Sequence, residues 1–275
     1  KFTPTGSTDT QEIDIGTATS ITIDKRGTYS AIIKNPSEYV FSNEVIVNLV
    51  LQKVEWNEKS INSEHKLIDT QGNTNDYYGR SLEIYLHTMV VGAKEKVYIY
   101  IRNDVNSDWE YKQTLTPTDN PGDFGCSVSI HKDVIVVGAK NNNGKGAVYI
   151  YRKNNDTSFW EYKTKFQGEG DGDLLGHSVT VYDNKVVAGA VNDDDKGSQS
   201  GVVFVYEYNV ETTAWSQIQK ISKGVQYEIY GDSVSLYENI LAIGAEGQTS
   251  TSRKGYVDLY NFNSTLFEFD TTLQP

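Results

Sequence analysis

The chain has 275 residues, 37% of them hydrophobic and 23% charged, with a formal net charge of −12. That is enough to bury a sizeable core, in one large domain or two smaller ones. The acidity excludes a binder of nucleic-acid backbones, which needs an excess of Lys and Arg, and no apolar run nears the ~20 residues of a membrane helix.

A single cysteine, Cys126, excludes an internal disulfide framework and a Cys-based zinc site. Lys1 in first place fits a processed chain or a fragment, with no signal peptide to read. The 19 Tyr, with abundant Val, Ile and Thr, favour strands, and the 23 Gly, with many Asn and Asp, favour turns. No long 3.6-residue stripe occurs, so the expectation is an all-β chain.

Five copies of one unit follow in chain order. The first, about residues 14–70, is degenerate. Ile15-Gly16 heads it, Ala18, Ile21 and Asp24 follow, and Tyr29-Ser30 ends its first hairpin. The second, 75–119, opens with Tyr78-Gly79 and reaches Gly92-Ala93 thirteen residues later. The third, 122–172, repeats that interval from Phe124-Gly125 to Gly138-Ala139. The fourth, 173–225, runs from Leu175-Gly176 to Gly189-Ala190, and the fifth, 228–275, from Tyr230-Gly231 to Gly244-Ala245.

Inside each interval a Ser follows the first Gly by two: Ser81, Ser127, Ser178 and Ser233. Alternating apolar residues come next, such as Val128 and Ile130, and then a turn former at Asp133, Asn184 or Asn239, with His87 the exception. An apolar run climbs back to the second Gly. This is a tight β-hairpin. A third strand follows a variable loop, as in Val148-Tyr149-Ile150-Tyr151. A fourth begins at Trp109, Trp160, Trp215 or Phe267.

Four antiparallel strands cannot bury both faces alone, so the copies must stack. Radial stacking of such sheets gives a β-propeller of four-stranded antiparallel blades, here a single domain over residues 1–275 with five repeats. A β-sandwich is the competing all-β fold, but it needs no recurring hairpin of fixed length. Five units in phase imply a five-blade ring, or further blades from outside the chain or from a neighbour. An open set would favour self-association.

Phe124-Gly125 followed by Gly138-Ala139-Lys140, with a Ser-Val strand between, resembles the FG-GAP repeat, the blade unit of integrin alpha-subunit propellers and of many bacterial and protist surface proteins. The resemblance covers about residues 14–275. The PQQ-type propeller repeat is a weaker competitor, since it too sets a Trp after a Gly-led strand, as from Gly146 to Trp160. Integrin-type copies often carry a calcium loop between the landmarks. Here the hairpin turns within a few residues, as at His131-Lys132-Asp133, which leaves no room for six to eight oxygen ligands. The sequence resembles the shorter, calcium-free repeat, and no metal or cofactor is expected.

Among acidic loops, Asn192–Asp195 is the strongest candidate for a cation, against a plain solvated loop. The recurring Trp residues read as packing between blades rather than sugar platforms. His65, His87, His131 and His177 stand at different repeat phases and mark no shared site. Arg80, Cys126, His177 and Asp232 follow the first landmark on the innermost strand and are candidate ligand residues at the channel mouth. Asn155 and Asn263 head glycosylation sequons, both expected in the third-to-fourth-strand turn at the same repeat phase.

No nucleophile–base set stands out, so no enzyme is expected. The reading is a binding or structural module, extracellular or at the cell surface, that meets proteins or glycans through variable loops near 34–43, 192–201 and 247–254. The resemblance implies adhesion or matrix assembly. An intracellular scaffold subunit and an enzyme domain acting on glycans or lipids are the alternatives.

Overall fold

Alternating apolar residues and two-residue turns produce the same meander again and again. The computed structural model describes residues 75–105, 107–119, 122–247 and 254–274, with the backbone of 34–35 and 38–39. The chain divides into two compact units, Lys1–His65 and Lys66–Pro275. In the first unit, β1 (Lys34–Asn35) and β2 (Glu38–Tyr39) pair as a short hairpin within the stretch expected to be a variable loop. The rest of the degenerate first copy lies outside the described residues.

Among its described residues, the second unit contains four four-stranded antiparallel sheets, each in simple up-and-down order. Sheet I holds β3 (Ser81–Tyr85), β4 (Thr88–Ala93), β5 (Lys96–Ile101) and β6 (Glu110–Leu115). Sheet II holds β7 (Ser127–His131), β8 (Val134–Ala139), β9 (Ala147–Lys153) and β10 (Trp160–Gln167). Sheet III holds β11 (Leu175–Tyr182), β12 (Lys185–Ala190), β13 (Val202–Asn209) and β14 (Ala214–Ile221). Sheet IV holds β15 (Tyr230–Tyr237), β16 (Ile240–Ala245), β17 (Tyr256–Phe262) and β18 (Phe267–Leu273). These sheets coincide with the second to fifth sequence copies.

The first hairpin of each sheet closes on a two-residue turn, for example Lys132-Asp133 between His131 and Val134. Leu86, Lys132, Asp183 and Glu238 take positive φ there, one residue before the turn formers singled out in the sequence. The outer two strands of every sheet carry a register shift, as between Tyr162 and Thr164, which adds local twist.

The sheets stack face to face in chain order, the first strand of each against the first strands of the sheet before it. Val90, Val97 and Ile99 of sheet I meet Val128, Ile130, Ile135 and Tyr149 of sheet II. Val134, Val136, Val148 and Ile150 of sheet II then meet Val179, Val181 and Val186 of sheet III. Val187, Val203 and Val205 meet Leu236, Leu241 and Ile243 of sheet IV. Burying each such side chain contributes roughly 1.5–3 kcal/mol. Trp160 is buried in the first interface and Trp215 packs against the second, so these tryptophans join sheets. Among the described residues, the stack is propeller-like.

Candidate functional site

The first landmark of each of the four described copies is a four-residue turn. Cys126 N–H donates to Asp123 O at 3.0 Å, and Arg80, His177 and Asp232 repeat that bond to Tyr77, Leu174 and Ile229. The third position is Gly79, Gly125, Gly176 or Gly231, at φ of 87, 88, 87 and 89°. That is the position where a type II turn demands positive φ, hence glycine. The residue opening each turn is also left-handed, including the β-branched Ile229 at φ 55°. The same strained backbone thus recurs four times at one end of the stack.

The second landmark has a different cause. Ser127 Oγ donates to the carbonyl oxygen of Gly176 in the next sheet at 2.8 Å, and the bond repeats from Ser81 to Gly125 at 2.9 Å and from Ser178 to Gly231 at 2.7 Å. A Cβ on Gly138 would lie 2.0 Å from that Gly176 oxygen. Only glycine leaves room for the latch.

Because each first strand starts at its landmark and turns at its far end, the landmarks, the second-to-third-strand loops and the ends of the fourth strands share one end of the stack. Arg80, Cys126, His177 and Asp232 all stand there. The structure brings two of the four together: His177 Nε2 lies 3.2 Å from Asp232 Oδ1. Arg80 instead pairs with Asp123 at 3.1 Å, and Asn141 donates to that carboxylate at 2.7 Å. Cys126 Sγ points to Gly176 O at 3.3 Å, and burial pushes its thiol pKa up, away from nucleophile behaviour. Burial, helped by nearby Lys140, lowers the His177 pKa against the pull of Asp232. This rim is a paired, positively and negatively charged surface rather than a poised acid–base set.

The remaining histidines are dispersed. His87 is exposed in the first hairpin turn of sheet I, and His65 lies outside the described residues. His131 sits at the opposite end of the stack, stacked on Tyr182 at 4.3 Å and edge-on to Tyr85 at 4.8 Å. It is half-buried in an inter-sheet seam rather than a plain surface residue.

The acidic loop is built around a lysine. Glu169, Asp193 and Asp195 carry carboxylate oxygens within 4.8 Å of one another. Lys220 Nζ reaches them at 2.8, 3.4 and 2.7 Å. Asp193 is buried, which pushes its carboxyl pKa up. Burial works against the Lys220 ammonium, but its bonds to Asp195 and Glu169 win and raise its pKa. Lys220 thus sets one positive charge among three carboxylates. Sequence reading singled out Asp193 and Asp195 but not Lys220, which is far along the chain.

Two further groups were not anticipated. Asp258 takes the strand position held elsewhere by Tyr98, Tyr149 and Phe204. It is fully buried, bound by Lys223 at 2.8 Å, Tyr230 Oη at 3.1 Å and Thr272 Oγ1 at 2.6 Å. Asp119 accepts from Tyr149 Oη at 2.8 Å and pairs with Lys165. Burial raises the Asp119 pKa, and the bonds from Lys165 and Tyr149 more than reverse that.

The sequons occupy third-to-fourth-strand turns, but not at one phase. Asn154, Asn209 and Asn263 are the equivalent residues, each accepting two backbone N–H bonds through its side chain. Asn155 is one position later and exposed.

Residues 109–151 match the FG-GAP repeat. The matched segment runs from the fourth strand of sheet I through the third strand of sheet II. The FG-GAP frame therefore straddles two sheets and contains the seam between them. Gln113, inside the matched segment, clasps the backbone of Trp160 with two 2.8 Å bonds across that seam. Gln219 does the same to Phe267 between sheets III and IV. An FG-GAP repeat suggests a non-catalytic, propeller-type binding module. No curated protein matches the chain. Among the described residues, no helix is long and apolar enough to cross a membrane.

Proposed function

We propose that this chain is a non-catalytic binding module of an extracellular or cell-surface protein, and that it holds a protein or glycan partner for adhesion or matrix assembly. The observation that carries this reading is the landmark end of the stack, where a repeated scaffold presents unlike, internally braced polar loops. The loop over 191–201 is the best formed. Gly201 N–H donates to Asp193 O at 3.0 Å, Ser200 Oγ to the same oxygen at 3.1 Å, and Lys220 pins its carboxylates. A loop ordered before contact loses less entropy on binding. The Arg80–Asp123 ion pair and the polar His177–Asp232 pair beside it suit recognition by charge and hydrogen bonding.

The test is retention of the chain on immobilised panels of glycans and extracellular-matrix proteins. It compares the native loop with a variant in which 191–201 is cut to a short turn. Retention by the native chain and its loss in a variant of unchanged fold supports the reading. Equal retention by both, or turnover of a panel glycan, would sink it. Intact mass before and after N-glycosidase tests the secretory placement separately.

A further inference from the structure

Three asparagines in succession, Asn141, Asn142 and Asn143, precede Gly144 in the loop between β8 and β9, at the landmark end of sheet II. The fold treats them differently. The Asn141 amide donates to Asp123 Oδ2 at 2.7 Å, and the buried Asn142 amide donates to Tyr149 Oη at 2.9 Å. Asn143 is exposed, and among the described residues its side chain has no hydrogen-bond partner. In the third-to-fourth-strand turns, by contrast, Asn154, Asn209 and Asn263 are each held by two backbone N–H groups.

The free amide of Asn143 also stands next to an open peptide nitrogen. Asn143-Gly144 is the sole Asn-Gly step in the sequence. Gly144 has no side chain to shield its nitrogen, and a Cβ built there would meet nothing within 4 Å, so the space beside it is open. Asn143 stands at φ 49° and ψ 30° and Gly144 at φ 76°, two successive left-handed residues. Gly144 N–H donates to Asn141 O at 3.2 Å, the long end of the normal range, within one exposed turn. Such a bond opens far more readily than those inside the sheets.

We propose that Asn143 is a site of spontaneous covalent modification, converted through a cyclic imide to aspartyl and isoaspartyl residues. Asparagine is among the residues prone to such loss on heating or ageing. When the bond to Asn141 opens, the Gly144 nitrogen gives its proton to solvent base and attacks Asn143 Cγ. The new C–N bond closes a five-membered ring, and the side-chain nitrogen leaves as ammonia with a proton from water. Water then opens the ring. Cleavage between Cγ and the ring nitrogen leaves aspartate at 143. Cleavage between the main-chain carbonyl and that nitrogen leaves an isoaspartyl link, with an extra methylene in the backbone. One water is taken up and one ammonia released. Either product adds negative charge two residues from Asn141, which holds Asp123 beside Arg80. The isoaspartyl link also lengthens the turn against which Gly172 N–H is bonded, through Gly144 O at 2.6 Å. The reaction is independent of what the loops bind.

Incubation of the full chain in oxygen-labelled water at mildly alkaline pH, followed by peptide mapping, tests it. The expected result is labelled aspartyl and isoaspartyl product at 143. It should form at least about tenfold faster than at Asn155, an exposed asparagine whose next residue, Asp156, has a side chain over the attacking nitrogen. Gly144→Ala should slow the conversion by about tenfold for the same reason. Alanine is strained at φ 76°, so Asn143→Gln is the second block if the melting temperature of Gly144→Ala falls. Its longer side chain closes the ring poorly, and no labelled product should form at 143. An unchanged Asn143, a rate no greater than at Asn155, or a rate that ignores Gly144→Ala in a folded chain overturns the proposal. So does labelled product at 143 in Asn143→Gln.

Discussion

The hydroxyl of Ser127 and the carbonyl of Gly176 meet at 2.8 Å across the seam between sheets II and III, in the space that Gly138 leaves by having no side chain. Three residues from two copies thus make one contact, and the contact recurs at each of the three described seams.

Gly138→Ala should therefore cost about 3 kcal/mol, because the methyl group strikes backbone in the next sheet. Gly244→Ala should cost well under half as much, since its methyl group meets only the Ser233 hydroxyl, which can rotate away. Urea denaturation of the two variants makes the comparison. Equal losses would show that the second landmark serves its own sheet rather than the seam.

Removing the buried carboxylate at 258 leaves Lys223, Tyr230 and Thr272 without their shared acceptor. Asp258→Ala should lower stability by about 3 kcal/mol. Asp258→Ala combined with Lys223→Met should recover part of that loss, which thermal melts of the single and double variants would reveal.

Lys220→Met leaves three carboxylates facing one another. Their folded-state pKa values should rise, so the variant gains stability as pH falls, when the folded chain takes up more protons than the unfolded one. A loss of about 2 kcal/mol at pH 7, shrinking by pH 4.5, is expected. A loss of the same size at both pH values would assign Lys220 a packing role alone.

His131 and His177 both have pKa values lowered chiefly by burial. Below about 6.5 the unfolded chain then binds more protons, so stability is complete above that pH and falls as the histidines protonate in the fold. Protonation of His131 Nδ1 also removes the acceptor for Asp183 N–H at 2.9 Å. Asp119, Glu161 and Asp195, held low by their partners, lose their contribution in a more acid window. Denaturation between pH 7.5 and 5.5 should show a slope that flattens in His131→Phe.

In secretory expression, Asn155→Gln should remove one glycan mass. Asn263→Gln should act on its turn instead, because the Asn263 amide already donates to Glu268 Oε1 at 2.6 Å. Intact-mass spectrometry separates the two.

Much of this architecture follows from the linear order of residues. Alternation at Val128 and Ile130, the short turn at Lys132-Asp133 and the recurring thirteen-residue interval are local or periodic features. They determine strands and hairpins without reference to any distant residue, and four of the five units they mark are the four sheets among the described residues. What the landmarks do is another matter. Gly125 answers to its own turn and also to the Ala93 and Lys96 carbonyls of the preceding copy, Gly138 answers to a carbonyl in the next copy, and only stacking brings those atoms near. Lys220 reads as one more charge at a strand end until the fold sets it among Glu169, Asp193 and Asp195. Asp258 reads as a break in an apolar pattern until Lys223 and Tyr230 arrive beside it. Pairing of charges and satisfaction of buried polar atoms depend on distances of a few ångströms between residues far apart in the chain. Local pattern cannot encode those distances, and the packing of one sheet on the next decides them.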